Sequence, residues 1–536
     1  MNGQCLTQSP AHTGAGCLHG VITVWMALTL SVFLAVTGVL LDFARAQCVS
    51  YRLAAAASSA CESVFAGYSR ALLGRYHLLA RNIDSEETLQ EETAGYLSPR
   101  RKGHRRYGDL TAFRIDSADW SECVYMTDEN GAVFRKMASD AMTDGAGGIL
   151  VSSWKERLGL NRSDTAKAAE ESAGKDSFHV SDVLQDYDEV MEAEEEPEAP
   201  GDGTAGDGGT EEPEASGDGT AGDAADAEDG GKEEPPEISG QGRKILERLE
   251  NLKGALSRGL MGLLVPEGKT ISAASVPSGG LPSSLSAGAK GRHVRASGGS
   301  GNPILFREYL MRNMTCFTTE GTGRPAYEIE YLIAGKNSDD RNLQSVLIRL
   351  FFLRVSCNTM TIMKTPAMHK AVGDAAVLCM GWTGSVTLTA GMTGLLAAAW
   401  AAAESISDIR SLLADGRIPL LKTAGQWRLG FAGFDSVLKE STGVQDETDG
   451  LSYGDHLRIL LYFAPDRVLS YRGMDVIDWN VRKLHAGFSC SRCMVEGRLT
   501  VEGGGRFLFP HLYRHMAGSR GYAGFTKSAA FSLLAN

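Results

Sequence analysis

The sequence predicts an α+β protein that one N-terminal transmembrane helix holds in a membrane. Three observations lead to this fold class: an uncharged apolar run near the N-terminus, a strongly acidic low-complexity segment in mid-chain, and helical periodicity that dominates the C-terminal half. In chain order the predicted parts are an N-terminal segment (1–19), a transmembrane helix (20–42), a long helix with a mixed α/β segment (43–181), an acidic disordered linker (182–240), an amphipathic helix with a Ser/Gly linker (241–302), and a mainly helical C-terminal domain with a β-rich tail (303–536).

The transmembrane helix is predicted from an apolar run at residues 20–41. These residues read GVITVWMALTLSVFLAVTGVLL and carry no charge over 22 positions. As a helix they would extend about 33 Å, close to the roughly 30 Å of a bilayer's hydrocarbon core. The alternative is a cleaved signal peptide, but no basic segment precedes the run and the run is too long for one.

The same helix is expected to continue beyond the membrane. Residues 42–80 contain no Pro, and apolar residues recur there at steps of three and four. The recurring residues are Cys61, Phe65, Tyr68, Leu72, Tyr76 and Leu79. A helix over 20–80 would be about 90 Å long, with an apolar half and an amphipathic half. Pilin-like subunits are built in this way. An anchor followed by a separate packing helix is an equally good interpretation.

The net charge of −13 belongs to the acidic linker. Residues 182–237 hold 22 Asp or Glu and a single Lys, so the rest of the chain has 52 basic and 44 acidic residues, a net of +8. EEPEAPGDGTAGD at 195–207 recurs as EEPEASGDGTAGD at 211–223. Such a composition cannot bury enough apolar surface to offset chain entropy, which predicts disorder. The charge therefore gives no sign of an acidic catalytic surface.

The segments on either side of the linker carry shorter patterns. Residues 110–115 and 123–126 are predicted to be strands, Asp128–Gly131 a turn, and 132–143 a helix. After the linker, Arg243–Val265 has the apolar spacing of an amphipathic helix.

In the C-terminal region, Tyr327–Ile333 alternates like a strand, and Ser338 is a predicted N-cap for a helix ending near Met363. Residues 375–403 are uncharged. They are predicted to form two buried helices joined by a Gly-rich break, with a second membrane span as the alternative. A hairpin is expected around Gly503–Gly505 in the tail.

One group of residues has the spacing of a zinc site. Cys490 and Cys493 are separated by two residues, and His511 and His515 by three. Thiolate and imidazole pairs at such spacings suit tetrahedral zinc, although the gap of 17 residues between the pairs is slightly long. A local disulfide, or unrelated Cys and His residues in a β-rich tail, are the alternatives.

A pair of carboxylates is the only candidate for acid–base chemistry. Glu404 and Asp408 lie four residues apart on one helical face, with Arg410 nearby. A solvated face or a structural ion-pair cluster is the commoner meaning of such a pair. The sequence contains no H-E-x-x-H motif. We therefore predict no catalytic, cofactor-binding or metal-binding residue, and identify no nucleic-acid partner or small-molecule substrate.

Several stretches resemble a bacterial group, domain of unknown function 5702. They are GVITVWMALTLSVFLAVTGVLLDFARAQ at 20–47, SVFAGYSRALLGRYHLLA at 63–80, YLIAGKNSDDRNL at 331–343, RVSCN at 354–358, AESISDIRSLLADGRIPLLK at 403–422, Trp427, GLSYGDHLRILL at 450–461 and RGMDVID at 472–478. Their order and spacing agree along nearly the whole chain outside the acidic linker. Arg341 and His456 depart from the group's pattern, where Glu and Tyr are expected.

The resemblance implies a membrane-anchored protein associated with tight-adherence (Tad) type pilus systems. The N-terminal segment is similar to the pseudopilin-like TadE/TadG segment, which implies that residues 1–19 are cytoplasmic and the bulk extracytoplasmic. Arg45 and Arg52, taken alone, would favour the opposite orientation. A prepilin peptidase would cut after Gly20, but Trp25 stands where such sites usually have Glu. The implied partners are the membrane and pilus or secretion-system proteins, and no catalytic residue is implied.

Overall fold

In a computed structural model, the chain forms two compact units, and each unit is made of separate segments. The first comprises Met1–Gly148, Ser278–Asn313 and Asp466–Asn536, and the second comprises Ile149–Pro277 and Met314–Pro465. The structure describes residues 15–97, 113–143, 238–266, 269–277, 279–286, 301–319, 325–439, 444–447, 450–505, 507 and 524–534. The predicted disorder of the acidic linker concerns residues 182–237, which lie outside the described residues.

Helices dominate both units, and a small antiparallel sheet belongs to the first, which confirms the α+β class. The helices are α1 (Ala15–Phe65), α2 (Arg70–Tyr76), α3 (Glu86–Leu97), α4 (Asp128–Thr143), α5 (Gly240–Ser257), α6 (Leu260–Leu264), α7 (Pro282–Ser286), α8 (Pro303–Asn313), α9 (Glu328–Ala334), α10 (Asp339–Lys364), α11 (Pro366–Met380), α12 (Val386–Leu413), α13 (Tyr453–Phe463) and α14 (Asp466–Arg482). The strands are β1 (Arg81–Asn82), β2 (Phe113–Tyr125), β3 (Cys493–Gly505) and β4 (Gly524–Ser532).

Helix α1 is long and continuous, but it ends earlier than predicted. Its 51 residues extend about 77 Å and run without a break past the end of the apolar segment. The expectation of one helix reaching residue 80 is wrong beyond Phe65. The chain turns at Gly67, where a Cβ atom would collide with the guanidinium of Arg81. Helix α2 then begins anew after Ser69, whose hydroxyl accepts a hydrogen bond from the amide of Leu72 at 3.4 Å.

The sheet of the first unit is built around β3. Strand β2 pairs with one edge of β3, from Phe113 opposite Gly505 to Tyr125 opposite Met494. Strand β4 pairs antiparallel with β3, and the short β1 pairs with the start of β3. The two strands predicted at 110–115 and 123–126 are therefore parts of one bulged strand, β2.

The C-terminal half of α1 covers this sheet. Its buried residues form one hydrophobic cluster with α3 and β3, and the side chains of β2 and β4 pack against the cluster. The Phe65 ring stacks on Phe531 of β4 at 5.0 Å and meets Trp120 of β2 edge-on at 6.0 Å. Because α1 supplies one wall of this core, the fold of the first unit requires the helix.

Two local predictions in the first unit have different outcomes. The turn expected at Asp128–Gly131 is confirmed, since Glu129, Asn130 and Gly131 all have positive φ angles between 52° and 74°. The hairpin expected around Gly503–Gly505 is present only as the antiparallel pairing of the consecutive strands β3 and β4, because the glycines themselves continue β3 and pair with Phe113–Ile115. Gly503 approaches the backbone of Arg114 so closely that a Cβ would collide with its carbonyl oxygen.

The second unit is helical. Helices α10 and α12 pack antiparallel, with Arg354 of α10 opposite Asp408 of α12, and α11 packs against α12. Ser338 occupies the predicted N-cap position of α10, although its side chain makes no capping hydrogen bond. The strand predicted at Tyr327–Ile333 is wrong, because these residues enter helix α9, all of whose residues are buried. Because helix α9 is buried on every side, its sequence lacks the one-sided apolar period that normally identifies a helix.

The amphipathic helix predicted at Arg243–Val265 is present in two pieces, α5 and α6. They are separated at Gly259, which has a φ of 116°. The uncharged run at 375–403 does contain a break, a 3-10 turn at Gly381–Thr383 between α11 and α12. The expectation that both helices are buried is wrong near this break, where most side chains are exposed.

Candidate functional site

Residues 20–41 of α1 present an apolar surface against which no other described part of the protein packs. These residues carry no charge, and nearly all of them are exposed. Trp25 is 66% exposed and Phe33 is 65% exposed. Surface of this extent is not found on a water-exposed helix, and it matches the length and composition of a membrane span.

The polar side chains of this segment are satisfied inside the helix. Thr23 donates to the carbonyl of Gly20 at 2.9 Å, and Ser31 donates to that of Leu28 at 2.8 Å. Thr29 and Thr37 make the same kind of contact. Because lipid offers no hydrogen-bond partners, hydroxyl groups bonded to their own helix suit a lipid environment. Helix α1 can therefore span a membrane.

Two other described helices are also long and apolar enough to cross a membrane by length and composition alone. These are α10 and α12, whose most apolar windows are 50% and 44% buried within the protein. Both helices therefore pack against protein on one side, whereas the apolar half of α1 has no such contact with the residues that the structure describes. Of these three candidate spans, α1 is therefore the one whose apolar surface is fully exposed among the described residues.

The surface of α1 changes at the first charged residues after the apolar run. Asp42 is buried and lies 3.6 Å from the guanidinium of Arg45. From here on, one face of the helix is buried in the first unit, beginning with Ala46, Val49 and Leu53. One continuous helix thus has an exposed apolar N-terminal half and a C-terminal half that packs against the sheet.

A network of buried charges lies in the second unit, between α10, α12 and the chain after α12. Asp408 is at its centre and accepts hydrogen bonds from the Nε and Nη2 atoms of Arg354 at 3.1 and 2.6 Å. Its carboxylate also accepts from Asn358 at 3.1 Å and from the ammonium of Lys422 at 2.7 Å. The side chains of Arg354, Asp408 and Lys422 are all 0% exposed.

Glu404, one helical turn before Asp408, completes this charge network. Its carboxylate accepts from the ammonium of Lys422 and from the backbone amides of Arg428 and Leu429, each at 3.0 Å. Two carboxylates thus face two cations, so the buried charges balance. Buried charges are tolerated only when they are paired and hydrogen-bonded in this way.

The electrostatics follow from burial and from these pairings. Burial works to raise the pKa of Asp408, but the charges of Arg354 and Lys422 outweigh it and hold the pKa below its usual value. Burial raises the pKa of Glu404, against the opposing charge of Lys422. His456 lies beside the network, and burial together with the charge of Arg354 lowers its pKa to about 4.

The sequence predicted that Glu404 and Asp408 share one helical face, and the structure places both in one ion-pair cluster. Arg410 is elsewhere, since its guanidinium donates to the carbonyls of Leu263 and Val437, both at 2.7 Å. Neither carboxylate has exposed surface, and their oxygens already accept protein donors. Acid–base catalysis requires a group within reach of a substrate proton, so the geometry favours the structural alternative.

Sequence reasoning missed three members of the network, namely Arg354, Asn358 and Lys422. A signal for Arg354 was present, because it is the only charge between Arg349 and Lys364. A charged side chain among apolar neighbours is buried in a protein only when it pairs with a partner. Lys422 gave no comparable signal, because it follows an irregular segment whose path the sequence does not reveal.

The zinc candidates can be assessed only in part. Cys490 and Cys493 are free, buried thiols, whereas His511 and His515 lie outside the described residues. The amide of Cys490 donates to the carboxylate of Asp478 at 2.7 Å, and burial raises the pKa of both thiols. Among the residues that the structure describes, no three His, Cys, Asp or Glu side chains are grouped so that they could hold a metal ion.

The comparison with known families covers the half of the chain that contains the charge network. The model of a family of unknown function, DUF5702, matches residues 237–504. This match begins directly after the acidic segment and includes α5–α14 and nearly all of β3. Searches of the curated proteins and of the solved structures found no match. The family match spans half of the 536 residues and agrees with the resemblance of the motifs around Arg354, Asp408 and His456, so the chain belongs to the family of unknown function DUF5702.

Proposed function

We propose that this chain is a membrane-anchored, extracytoplasmic structural or assembly component of a pilus-like, Tad-type secretion or adhesion apparatus. One observation carries the proposal: the N-terminal half of α1 is exposed and apolar, while its C-terminal half packs against an antiparallel sheet. A simple anchor does not need to be continuous with the core of a folded unit. A subunit whose folded part must move with its membrane helix does need this continuity.

The rigidity of α1 supports this role. Over its 51 residues it has no Pro, and residues on one face from Ala46 to Phe65 are held in the core of the first unit. Rotation or displacement of the exposed half therefore has to move the sheet with it. Contacts between α1 and another transmembrane helix can then determine how the folded parts outside the membrane are arranged. TM helices associate through close packing and small residues rather than through the hydrophobic effect.

The bulk of the chain is proposed to be extracytoplasmic and to have no enzymatic role. The charge network supports the second part, because Glu404 and Asp408 neutralise Lys422 and Arg354 inside the protein. The family match gives no information about activity, because the family is one of unknown function. Helices α10 and α12 are long and apolar enough to cross a membrane, but about half of their apolar stretches is buried in the protein, so we propose a single span.

Deleting the gene and imaging surface fibres tests the assembly role. We expect fibres and adhesion to be lost and to return with the wild-type chain. A second complementing chain, in which residues 20–41 are replaced by an unrelated apolar helix of 22 residues, keeps the anchor but changes its surface. We expect this chain to reach the membrane without restoring fibres. Unchanged fibres after deletion, or full rescue by the replaced helix, would contradict the proposal.

A further inference from the structure

The second unit carries an apolar tip that none of the roles above explains. The tip is the end of the α11–α12 hairpin, residues 377–395. It exposes six large apolar side chains, and Val386 among them is 84% exposed. The others are Val377, Leu378, Trp382, Leu388 and Leu395. Monomeric proteins in water rarely group exposed apolar residues in this way unless something covers them.

Three polar side chains of the tip are bonded within the tip itself. The indole N–H of Trp382 donates to the carbonyl of Cys379 at 3.1 Å, and the hydroxyl of Thr383 donates to that of Met380 at 2.7 Å. Thr389 donates to the carbonyl of Ser385 at 3.0 Å. This is the pattern that the hydroxyl groups of the apolar half of α1 follow. Side chains satisfied in this way need nothing from water.

The charges around the tip fit a lipid surface. No charged residue occurs between Asp374 and Glu404. Helix α5 packs beside the tip, where Gly242 lies so close to the carbonyl of Leu378 that a Cβ would collide with it. The next two residues, Arg243 and Lys244, are basic and exposed. Basic residues beside an apolar insertion attract anionic lipid headgroups.

The dimensions fit a shallow insertion rather than a crossing. The uncharged part of α11, residues 375–380, extends about 9 Å, far less than the roughly 30 Å of the hydrocarbon core. On α12, side chains become buried in the protein from Leu396 onward. Amphipathic elements that lie in a membrane interface reach about 5–10 Å into it, which matches the exposed part of the hairpin.

We propose that the α11–α12 tip inserts into the interfacial layer of a lipid bilayer with anionic headgroups, as a membrane contact separate from α1. Trp382 sits at the level of the headgroups, where amphipathic indoles are favoured. The second unit is then held at a bilayer surface by its own residues. This contact is independent of any assembly through α1.

Photo-crosslinking in the membrane-embedded full chain tests the insertion. The photoreactive residue p-benzoyl-phenylalanine replaces either Trp382 or, as a control, Phe463 of α13, an aromatic residue of the same unit that is 59% exposed. After irradiation, mass spectrometry measures lipid adducts at each position. We expect at least about tenfold more lipid adduct at 382 than at 463. Equal yields, or adducts at 382 only to protein, would overturn the proposal.

A charge in the tip provides the second test. Val386→Glu should not disturb folding, because this side chain has little contact with the protein. Desolvating the new carboxylate should reduce the lipid adduct at position 382 by about tenfold, equivalent to about 1.4 kcal/mol. Val386→Leu is the matched control and should keep the yield. An unchanged yield in the Glu variant, with normal fluorescence of the buried tryptophans, would also overturn the proposal.

Discussion

The buried charge network makes a strong prediction about stability. Asp408 accepts four hydrogen bonds, two from Arg354 and one each from Asn358 and Lys422. The substitution Asp408→Asn keeps the size of the side chain but removes its charge. Arg354 and Lys422 then face a single carboxylate, Glu404, which leaves one buried positive charge uncompensated.

Removing one partner from a buried ion pair costs about 3–5 kcal/mol, because the remaining charge has lost its solvent as well as its partner. We expect Asp408→Asn to lower the free energy of unfolding by this amount. Typical domains have only about 5–15 kcal/mol of stability, so the second unit of the variant should be near its unfolding limit. Adding Lys422→Met restores the charge balance and should recover part of the loss.

Urea unfolding of the detergent-solubilised full chain measures this loss. Trp400 and Trp427, with ring centroids 5.2 Å apart, report on the unit that holds the network. The control is Asp116→Asn, whose partner Arg114 forms an exposed ion pair at 2.7 Å. Exposed pairs contribute about 1 kcal/mol or less. If the two variants lose the same small amount of stability, the network is not the structural element described above.

Four further substitutions test the effect of burial at single positions. The pKa of His456 is lowered to about 4 from 6.5, so acidification from pH 7 to 5 should reduce wild-type stability relative to His456→Gln by about 2 kcal/mol. Burial raises the pKa of Glu330 to about 7, so raising the pH from 5 to 7 should reduce wild-type stability relative to Glu330→Gln by a similar amount. Urea titrations at the two pH values measure both differences, and parallel pH dependence of variant and wild type would contradict them. Leu53→Ala, inside the core under α1, should cost about 2–5 kcal/mol of first-unit stability, whereas Leu28→Ala on the apolar half should leave urea unfolding of that unit unchanged.

The elements that the sequence predicted well are those with long, one-sided patterns. The apolar run of α1 and the cap and periodicity of α10 required only local information, and both are confirmed as helices. Helix α9 was mistaken for a strand, because Tyr327–Ile333 is buried on all sides and burial removes the helical period. Helix α1 ends at Phe65, just before Gly67 meets Arg81, and no local pattern reveals this approach.

The candidate site was predictable in part for the same reason. Glu404 and Asp408 share one helix face, so their spacing alone brings them together. Arg354 and Lys422 reach them from 54 and 14 residues away, through the packing of α10 on α12 and an irregular segment. The two units are likewise formed by segments that alternate along the chain, and a pattern along the sequence does not reveal which segments return to one another.

The most direct test of the proposed assembly role is to identify what touches the exposed half of α1 in its native membrane. A photoreactive p-benzoyl-phenylalanine in place of Trp25, which is 66% exposed, would sample that surface in fibre-forming cells. The assembly role predicts crosslinks to protein, either to α1 of another copy or to a helix of a pilus subunit. Adducts to lipid alone, in cells that carry intact fibres, would show that α1 is only an anchor and would contradict the role.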